Sequence, residues 1–485
     1  MPMMSSRARW LALYVLCLGD LMIVLDGTIV NVALPTIRDD LGFSRESLAW
    51  VVNAYMLTFG GFLLLGGRLG DLFGHRRLFL AGTTLFTLAS LGCGVANSQE
   101  TLIGARIVQG LGGAIVSAVA LSLLMTLFTE AADRAKAMGV FGFVLSGGGV
   151  AGVLFGGVLT DALNWHWIFL VNIPVGIAVI ALTLILLPGN PGYATGRIDF
   201  AGAVTVTASL MLAVFAIVNG NDAGWTSLRT LGLLGVSAVL MALFLVIESR
   251  ISAPLMPLGI FRNRAVSTAN VIGVLMAAGM FAYFFISAQY LQGVVGYSAM
   301  EVGLAYLPST VLWGASSLLL SNRLVMRYGI NPPLIAGLGL MAVGLLLFAR
   351  TPVEGDFLMD ILPGTLAVGL GAGIAFNPIL LAAMSGVEQT EAGLASGVVN
   401  TAFMMGGAVG LAILASLAAS RTDSLFNSGD GAIAALNGGY HAAFLLGAVF
   451  VLAAIAVTAG LLRAEMPAHG HEGEAVGVPA TAEAD

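Results

Sequence analysis

Two aspartates and one arginine stand in stretches that otherwise hold almost nothing charged: Asp20 and Asp26 within residues 11–33, and Arg106 within residues 101–128. A carboxylate at the centre of a membrane-spanning helix costs roughly 2.5 to 3.5 kcal/mol on the insertion scale. It is retained where it faces a cavity, pairs with a cation or carries a proton. At 1.5 Å rise per residue, Asp26 lies about 10 Å below the expected outer end of its span and Arg106 about 8 Å below that of its own, so the two can meet at one depth. Burial favours the protonated carboxyl, a guanidinium favours the carboxylate, and water arriving from alternate sides would reset that balance. Such a group can load a proton on one side and release it on the other. The structural alternative is a fixed Asp–Arg pair joining two helices. Asp20, six residues earlier and about 120° around the helix, shares a stripe with Gly27 and Asn31. It is either a second titrating group or part of a cavity wall.

The elements that must position these residues follow from composition. Of 485 residues, 9% are charged and 58% apolar, against about 25% charged in an ordinary soluble domain, and the mean hydropathy is +0.96. Apolar stretches fall at 11–33, 49–67, 78–96, 101–128, 136–159, 167–187, 200–218, 228–247, 266–291, 302–321, 333–349, 358–383, 394–417 and 441–462. Each is long enough to cross a bilayer, and fourteen of them predict an all-α integral membrane protein. The first has no small-residue cleavage site after it and reads as an uncleaved span. An even count puts both termini on one side. The loops on that side collect fourteen of the twenty basic residues, so the positive-inside rule places both termini in the cytoplasm; nineteen arginines to one lysine, with abundant alanine and glycine, suggest a GC-rich bacterial genome, hence a bacterial cytoplasmic membrane. Trp50, Trp165, Trp167 and Trp225 fall near outer ends and fit an interfacial belt.

The same counts exclude other functions. The one lysine, Lys136, follows no glycine-rich turn, so there is no Walker A loop for ATP. Cys17 and Cys93 both lie in apolar runs and frame neither a disulfide nor a metal site. No basic, aromatic-interleaved tract suggests nucleic acid. The five histidines are dispersed in loops, at the start of the last span and in the tail, without a nucleophile–base pair, which argues against an enzyme.

An internal repeat explains the number fourteen. Arg68-Leu69 precedes Phe73-Gly74, and 255 residues further on Arg323-Leu324 precedes Tyr328-Gly329. Both copies then link the second and third spans of a six-span set, if two spans are inserted between the sets. Parallel six-helix repeats enclosing a midplane site are a transporter architecture. The expected organisation is a cytoplasmic N-terminus at 1–10, a six-helix bundle at 11–187, two inserted helices with their loops at 188–265, a second six-helix bundle at 266–462, and a disordered acidic cytoplasmic tail at 463–485.

The stretch Leu25-Asp26-Gly27-Thr28-Ile29-Val30-Asn31-Val32-Ala33-Leu34-Pro35 resembles the first-helix motif of the fourteen-helix drug:proton antiporters of the major facilitator superfamily, the QacA/EmrB type. Gly67-Arg68-Leu69-Gly70-Asp71-Leu72-Phe73-Gly74-His75-Arg76-Arg77 is similar to that superfamily's loop signature. Arg106-Ile107-Val108-Gln109-Gly110-Leu111-Gly112-Gly113 resembles its fourth-helix motif, and Trp165-His166-Trp167-Ile168-Phe169-Leu170-Val171-Asn172-Ile173-Pro174 the entry to its sixth helix. The resemblance implies that Arg68, Asp71, Gly74 and Arg76 brace a cytoplasmic gate, with the Asp71 carboxylate at a helix N-terminus worth roughly 1 to 2 kcal/mol. The second copy has Met326 in place of Asp71, so that latch is one-sided. The fifth helix departs from the antiporter motif, with Val153 where the family has proline. Gly148, Gly152, Gly156 and Gly157 still supply a small-residue packing stripe.

Asn31, Asn53, Tyr55, Gln109, Phe281, Phe285 and Gln289 are the candidates for a substrate cavity, with Met404 and Met405 adding adaptable apolar surface. The second half has no acid inside a span: Glu301 and Asp360 fall at loop edges, and Glu388 and Glu391 in a connection. A neutral or singly charged lipophilic substrate follows. The expected function is proton-coupled efflux of a small lipophilic drug, antibiotic or secondary metabolite, by a monomer that needs no cofactor or metal beyond the proton gradient. One charge falling through about 100 mV releases roughly 2.3 kcal/mol, enough for about a fortyfold gradient of a neutral compound per proton. The alternatives are a dedicated metabolite or lipid carrier without a resistance role, and a non-transporting membrane sensor.

Overall fold

The computed structural model describes residues 6–44, 47–128, 130–187, 199–251, 254–385 and 392–462. Fourteen long helices account for nearly all of them: α1 (Ser6–Leu41), α2 (Trp50–Phe73), α3 (His75–Gly94), α4 (Gln99–Leu127), α5 (Ala131–Ala162), α6 (Trp167–Leu186), α7 (Phe200–Val218), α8 (Leu228–Arg250), α9 (Arg264–Val295), α10 (Ala299–Tyr328), α11 (Asn331–Phe348), α12 (Phe357–Met384), α13 (Ala392–Asn427) and α14 (Ala432–Leu461). Among the described residues, thirteen helices are long and apolar enough to cross a membrane. The other, α5, runs for 32 residues between α1 and α10. Helices satisfy their backbone groups internally, the condition for crossing a hydrocarbon layer.

Burial sorts the helices by position. The most apolar stretch of α9 is 78% buried, that of α8 only 17%. Thus α9 is central, and α8 presents Leu228, Val239, Leu243 and Val246 outward, where lipid is the only solvent that favours them. The inserted pair α7 and α8 pack on each other, and α7 lies against α2 and α13. A methyl group on Gly61 of α2 would collide with the Thr207 side chain, and Val206, Phe244 and Met405 form one cluster.

The turns that mark the repeat share a cause. Gly74 between α2 and α3 has φ +92°, and Gly329 between α10 and α11 has φ +80°. With ψ of 127° at Gly74 and −174° at Gly329, neither is left-handed helical; a side chain held at such a positive φ costs about 1 to 3 kcal/mol, so a reversal at the same place in both halves selects glycine.

Several boundaries differ from the sequence reading. The first helix does not stop at 33; it continues through Pro35 to Leu41. Asp26 therefore lies roughly 22 Å from the helix end at 1.5 Å per residue, not 10 Å. The fifth span is 131–162 rather than 136–159. The stretch 418–440 is not a loop: α13 runs to Asn427 and α14 starts at Ala432, because Thr422 donates to the Ala418 carbonyl and Gly439 lets the two helices close on that threonine. Trp165 stands near the expected outer end of α1 but faces protein rather than lipid. It is buried, and its indole N–H donates to Asp40 Oδ2 at 2.9 Å. The tail at 463–485 lies outside the described residues.

Candidate functional site

α1 and α4 run antiparallel against each other, and α4 carries Arg106 and Gln109 one turn apart on one face. The glycines that follow let neighbours close in around that face. A methyl on Gly110 would meet the Tyr55 carbonyl at 2.5 Å, and one on Gly112 the Phe86 amide at 2.6 Å. α2 and α3 therefore crowd the middle of α4, and Arg106 is fully buried.

Arg106 Nη1 donates to Asp26 Oδ2 and, at 2.7 Å, to Gln109 Oε1, while its Nε donates to the Val51 carbonyl at 2.9 Å. Asp26 is itself fully buried. Its Oδ1 accepts from Gln109 Nε2 at 2.7 Å and from Asn172 Nδ2 at 3.0 Å. Ser90 Oγ accepts from the same two amides, and the Cys93 thiol donates to Gln109 Oε1. The guanidinium lies over the Tyr55 ring, 4.3 Å from its centroid, with the Phe169 ring at 5.6 Å. Five helices of the first half converge here: α1, α2, α3, α4 and α6. A buried charge persists only when paired and hydrogen-bonded, and both charges meet that condition.

Six residues back along α1 and eleven forward along α4, Asp20 Oδ1 accepts from Ser117 Oγ at 2.6 Å. Its Oδ2 is buried with no partner. Asp20 thus stands apart from the Asp26 network and lacks a described cation.

The residues expected to line one cavity fall into separate places. Gln109 belongs to the Asp26 network. Asn31 donates to the carbonyls of Gly27 and Thr28 in its own helix. Phe285 and Gln289 line a recess inside the second half with Ala415, Ala418, Thr422 and Tyr440. Phe281 packs near Phe403, their rings 6.2 Å apart. Asn53 and Tyr55 on α2 are buried, with both amide atoms of the first and the hydroxyl of the second unpartnered. A residue's type and its place in a span do not tell these positions apart, because neither names the helix that covers the side chain.

At the expected gate, the side chains of Arg68 and Asp71 lie outside the described residues, as does that of Val153. Gly74 makes the turn described above. Arg76 donates to the Leu184 carbonyl at 2.7 Å, so it fastens α3 to the end of α6 rather than reaching the other half. The glycine stripe of α5 packs on α1: methyls on Gly148, Gly152 and Gly156 would meet Leu21, Thr28 and Ile29. Gly157 turns to the other half, with the Met300 backbone 2.7 Å from where its Cβ would be.

Contacts not foreseen from sequence close the face away from the termini. Asp161 Oδ2 of α5 accepts from the Met300 backbone N–H at the start of α10 at 2.8 Å. Gln292 Nε2 of α9 donates to the Val32 carbonyl of α1 at 2.7 Å. Asn172, a partner of Asp26, and Ser90, which accepts from Gln109 and Asn172, were likewise missed; both are ordinary polar residues in apolar runs.

Residues 16–411 match the Major Facilitator Superfamily. The chain is 36% identical to the puromycin resistance protein pur8 of Streptomyces alboniger, covering 92% of this chain and 90% of that one. It is 36% identical to the cephamycin export protein CmcT of Amycolatopsis lactamdurans over 92% of this chain and 91% of the relative. The lincomycin resistance protein of Streptomyces lincolnensis is 36% identical, with 85% of each chain covered. Among solved structures, a bacterial homolog of the human lysosomal transporter Spinster, inward-facing and unoccupied, superposes with TM-score 0.67 at 16% identity, covering 94% of this chain and 97% of that one.

Proposed function

Since the chain belongs to the Major Facilitator Superfamily, as a multi-pass membrane transporter, we propose that it exports a small lipophilic drug, antibiotic or secondary metabolite in exchange for protons, with Asp26 as the proton carrier. The similarity to proteins named for antibiotic resistance and export supports the direction and the substrate class. The observation that carries the coupling is the fully buried Asp26–Arg106 pair on two helices of the first half.

Loading a proton on Asp26 removes the attraction that holds Arg106 against it. Gln109 and Asn172 can stay hydrogen-bonded to the neutral carboxyl, so the step costs a charge pair and not the whole network. Freed from Asp26, Arg106 keeps Gln109 Oε1 and the Val51 carbonyl, which ties it to α4 and α2 but not to α1. The Gln109 and Asn172 amides remain on Asp26 Oδ1, so the hold of α4 on α1 falls from an ion pair to neutral hydrogen bonds, and α1 shifts more readily against α4. Six residues further along α1, Val32 accepts the Gln292 bond from the second half. Through about 9 Å of one rigid helix, the charge state of Asp26 can bias whether the face away from the termini is closed or open. Asp20, with one free oxygen, is the second candidate for a proton.

The termini face the cytoplasm, on the loop-charge argument above, and the protein acts as a monomer driven by the proton gradient without a cofactor. Asp71 and Arg68 hold the cytoplasmic gate, while Asn53, Tyr55 and Phe281 contribute polar and aromatic surface to the substrate path. Accumulation of a panel of lipophilic antibiotics and dyes in energised cells tests this reading. Expression should lower accumulation of at least one compound, and an uncoupler should restore it. Export that survives the uncoupler contradicts proton coupling, and equal export of monovalent and divalent cationic dyes contradicts the substrate charge class.

A further inference from the structure

The inserted pair α7 and α8 carries two acids that the proposed transport cycle does not use. Asp199 caps the start of α7, its Oδ1 accepting from the Gly202 N–H at 2.7 Å. Glu248 lies near the end of α8, its Oε2 accepting from the Met256 N–H at 3.1 Å. Each residue is nearly fully buried, with 2% and 3% of its surface exposed. In both, the second oxygen, Asp199 Oδ2 and Glu248 Oε1, is buried with no partner. Those two oxygens face the same point. A methyl on Gly202 would collide with Asp199 Oδ2 and lie 2.8 Å from Glu248 Oε1, so glycine leaves the space in which the carboxyls meet.

The surroundings are apolar: Ala203, Leu65 and Leu255 form a buried cluster with Phe62 and Leu69 beside it. Of the ionisable residues on the packed elements and beside them in sequence, Arg250 ends α8 exposed, while Arg197, two residues before Asp199, and the side chains of Arg68 and Asp71 on α2 lie outside the described residues. The 254–257 segment contributes none. Without a cation between them, two adjacent buried carboxylates do not both stay ionised, because like charges and lost hydration act in the same direction. A single proton solves both problems, since the protonated acid donates to the carboxylate and satisfies both free oxygens at once.

We propose that Asp199 and Glu248 form a proton-binding site in the inserted helix pair, holding one proton between their carboxyls, separate from Asp26. The shared proton ties the start of α7 to the end of α8 and, through Met256, to the segment leading to α9. It also seats Ala203 and Leu255 on Leu65 of α2, a helix that packs against α13 of the other half. Losing the proton at high pH would push the carboxyls apart and loosen this seat.

Infrared difference spectroscopy on the full chain in lipid nanodiscs tests the site, reading the C=O stretch of protonated carboxyl groups, which is distinct from that of carboxylates. Glu248→Gln and Asp199→Asn keep the bonds to Met256 and Gly202 within reach and remove one ionisable group each. The wild-type-minus-variant spectrum at neutral pH should contain one protonated carboxyl band for either variant. The double variant should lose no more than each single one, and the band should vanish in the wild type at alkaline pH. Asp26→Asn should leave it in place. A neutral-pH difference spectrum without that band in both variants shows two carboxylates neutralised by a cation and overturns the site. Loss in one variant alone places the proton on a single residue and overturns the sharing.

Discussion

Replacing Arg106 with methionine keeps an unbranched side chain and removes the charge and all the donors. Three contacts go: the Asp26 carboxylate, Gln109 Oε1 at 2.7 Å and the Val51 carbonyl at 2.9 Å. Removing one member of a buried ion pair costs about 3 to 5 kcal/mol, because the remaining charge is left uncompensated. Loss of the guanidinium over Tyr55, at 4.3 Å, adds about 1 kcal/mol. A double variant of the pair separates these contributions. Asp26→Asn combined with Arg106→Met leaves no orphan charge, and Gln109 and Asn172 still hydrogen-bond the new amide. The double variant should recover about 2 kcal/mol or more of what the two single changes lose together. Equilibrium unfolding in bicelles, measured for the wild type, both single variants and the double, supplies the cycle. Additivity within about 0.5 kcal/mol would show that Asp26 and Arg106 do not act as a pair and would remove the basis of the coupling argument.

Three further outcomes are expected. Asp161→Ala removes the acceptor that holds the start of α10, so a cysteine placed at Met300 should react several-fold faster with a membrane-impermeant thiol reagent; an unchanged rate refutes the latch. Gly329→Ala should destabilise by about 1 to 3 kcal/mol, as should Gly74→Ala, in the same bicelle unfolding assay, and a neutral result at either would deny the shared turn. Gly152→Leu should abolish export while a well-folded protein still reaches the membrane, because its side chain would enter the space of Thr28 and the Leu25 carbonyl on α1; full export would show that the α1–α5 contact need not be close.

What was legible in the sequence was what hydrocarbon makes costly. Charges inside apolar runs are few, so Asp26 and Arg106 stood out, and antiparallel helices brought them together. Glycine at a positive φ is equally constrained, and the Phe73-Gly74 and Tyr328-Gly329 pairs revealed the repeat for that reason. Amides are cheaper to bury than charges and left no such mark: Asn172 joins Asp26 and Gln292 joins the halves, yet neither differs in type from Asn31, which bonds only its own helix. Asp199 and Glu248 escaped notice because they sit at the ends of spans, where an acid is ordinarily solvated. The surroundings of the cavity candidates and of Trp165 were not legible, because a residue's type and its place in a span do not name what packs against it.

The most direct test uses inverted membrane vesicles energised by respiration, with a pH-sensitive dye reporting protons as lipophilic antibiotics are added. Wild-type vesicles should release protons on addition of a transported compound, and Asp26→Asn vesicles containing the same amount of folded protein should not. Equal release from both would make Asp26 a structural residue held by Arg106 and would contradict its role as the proton carrier.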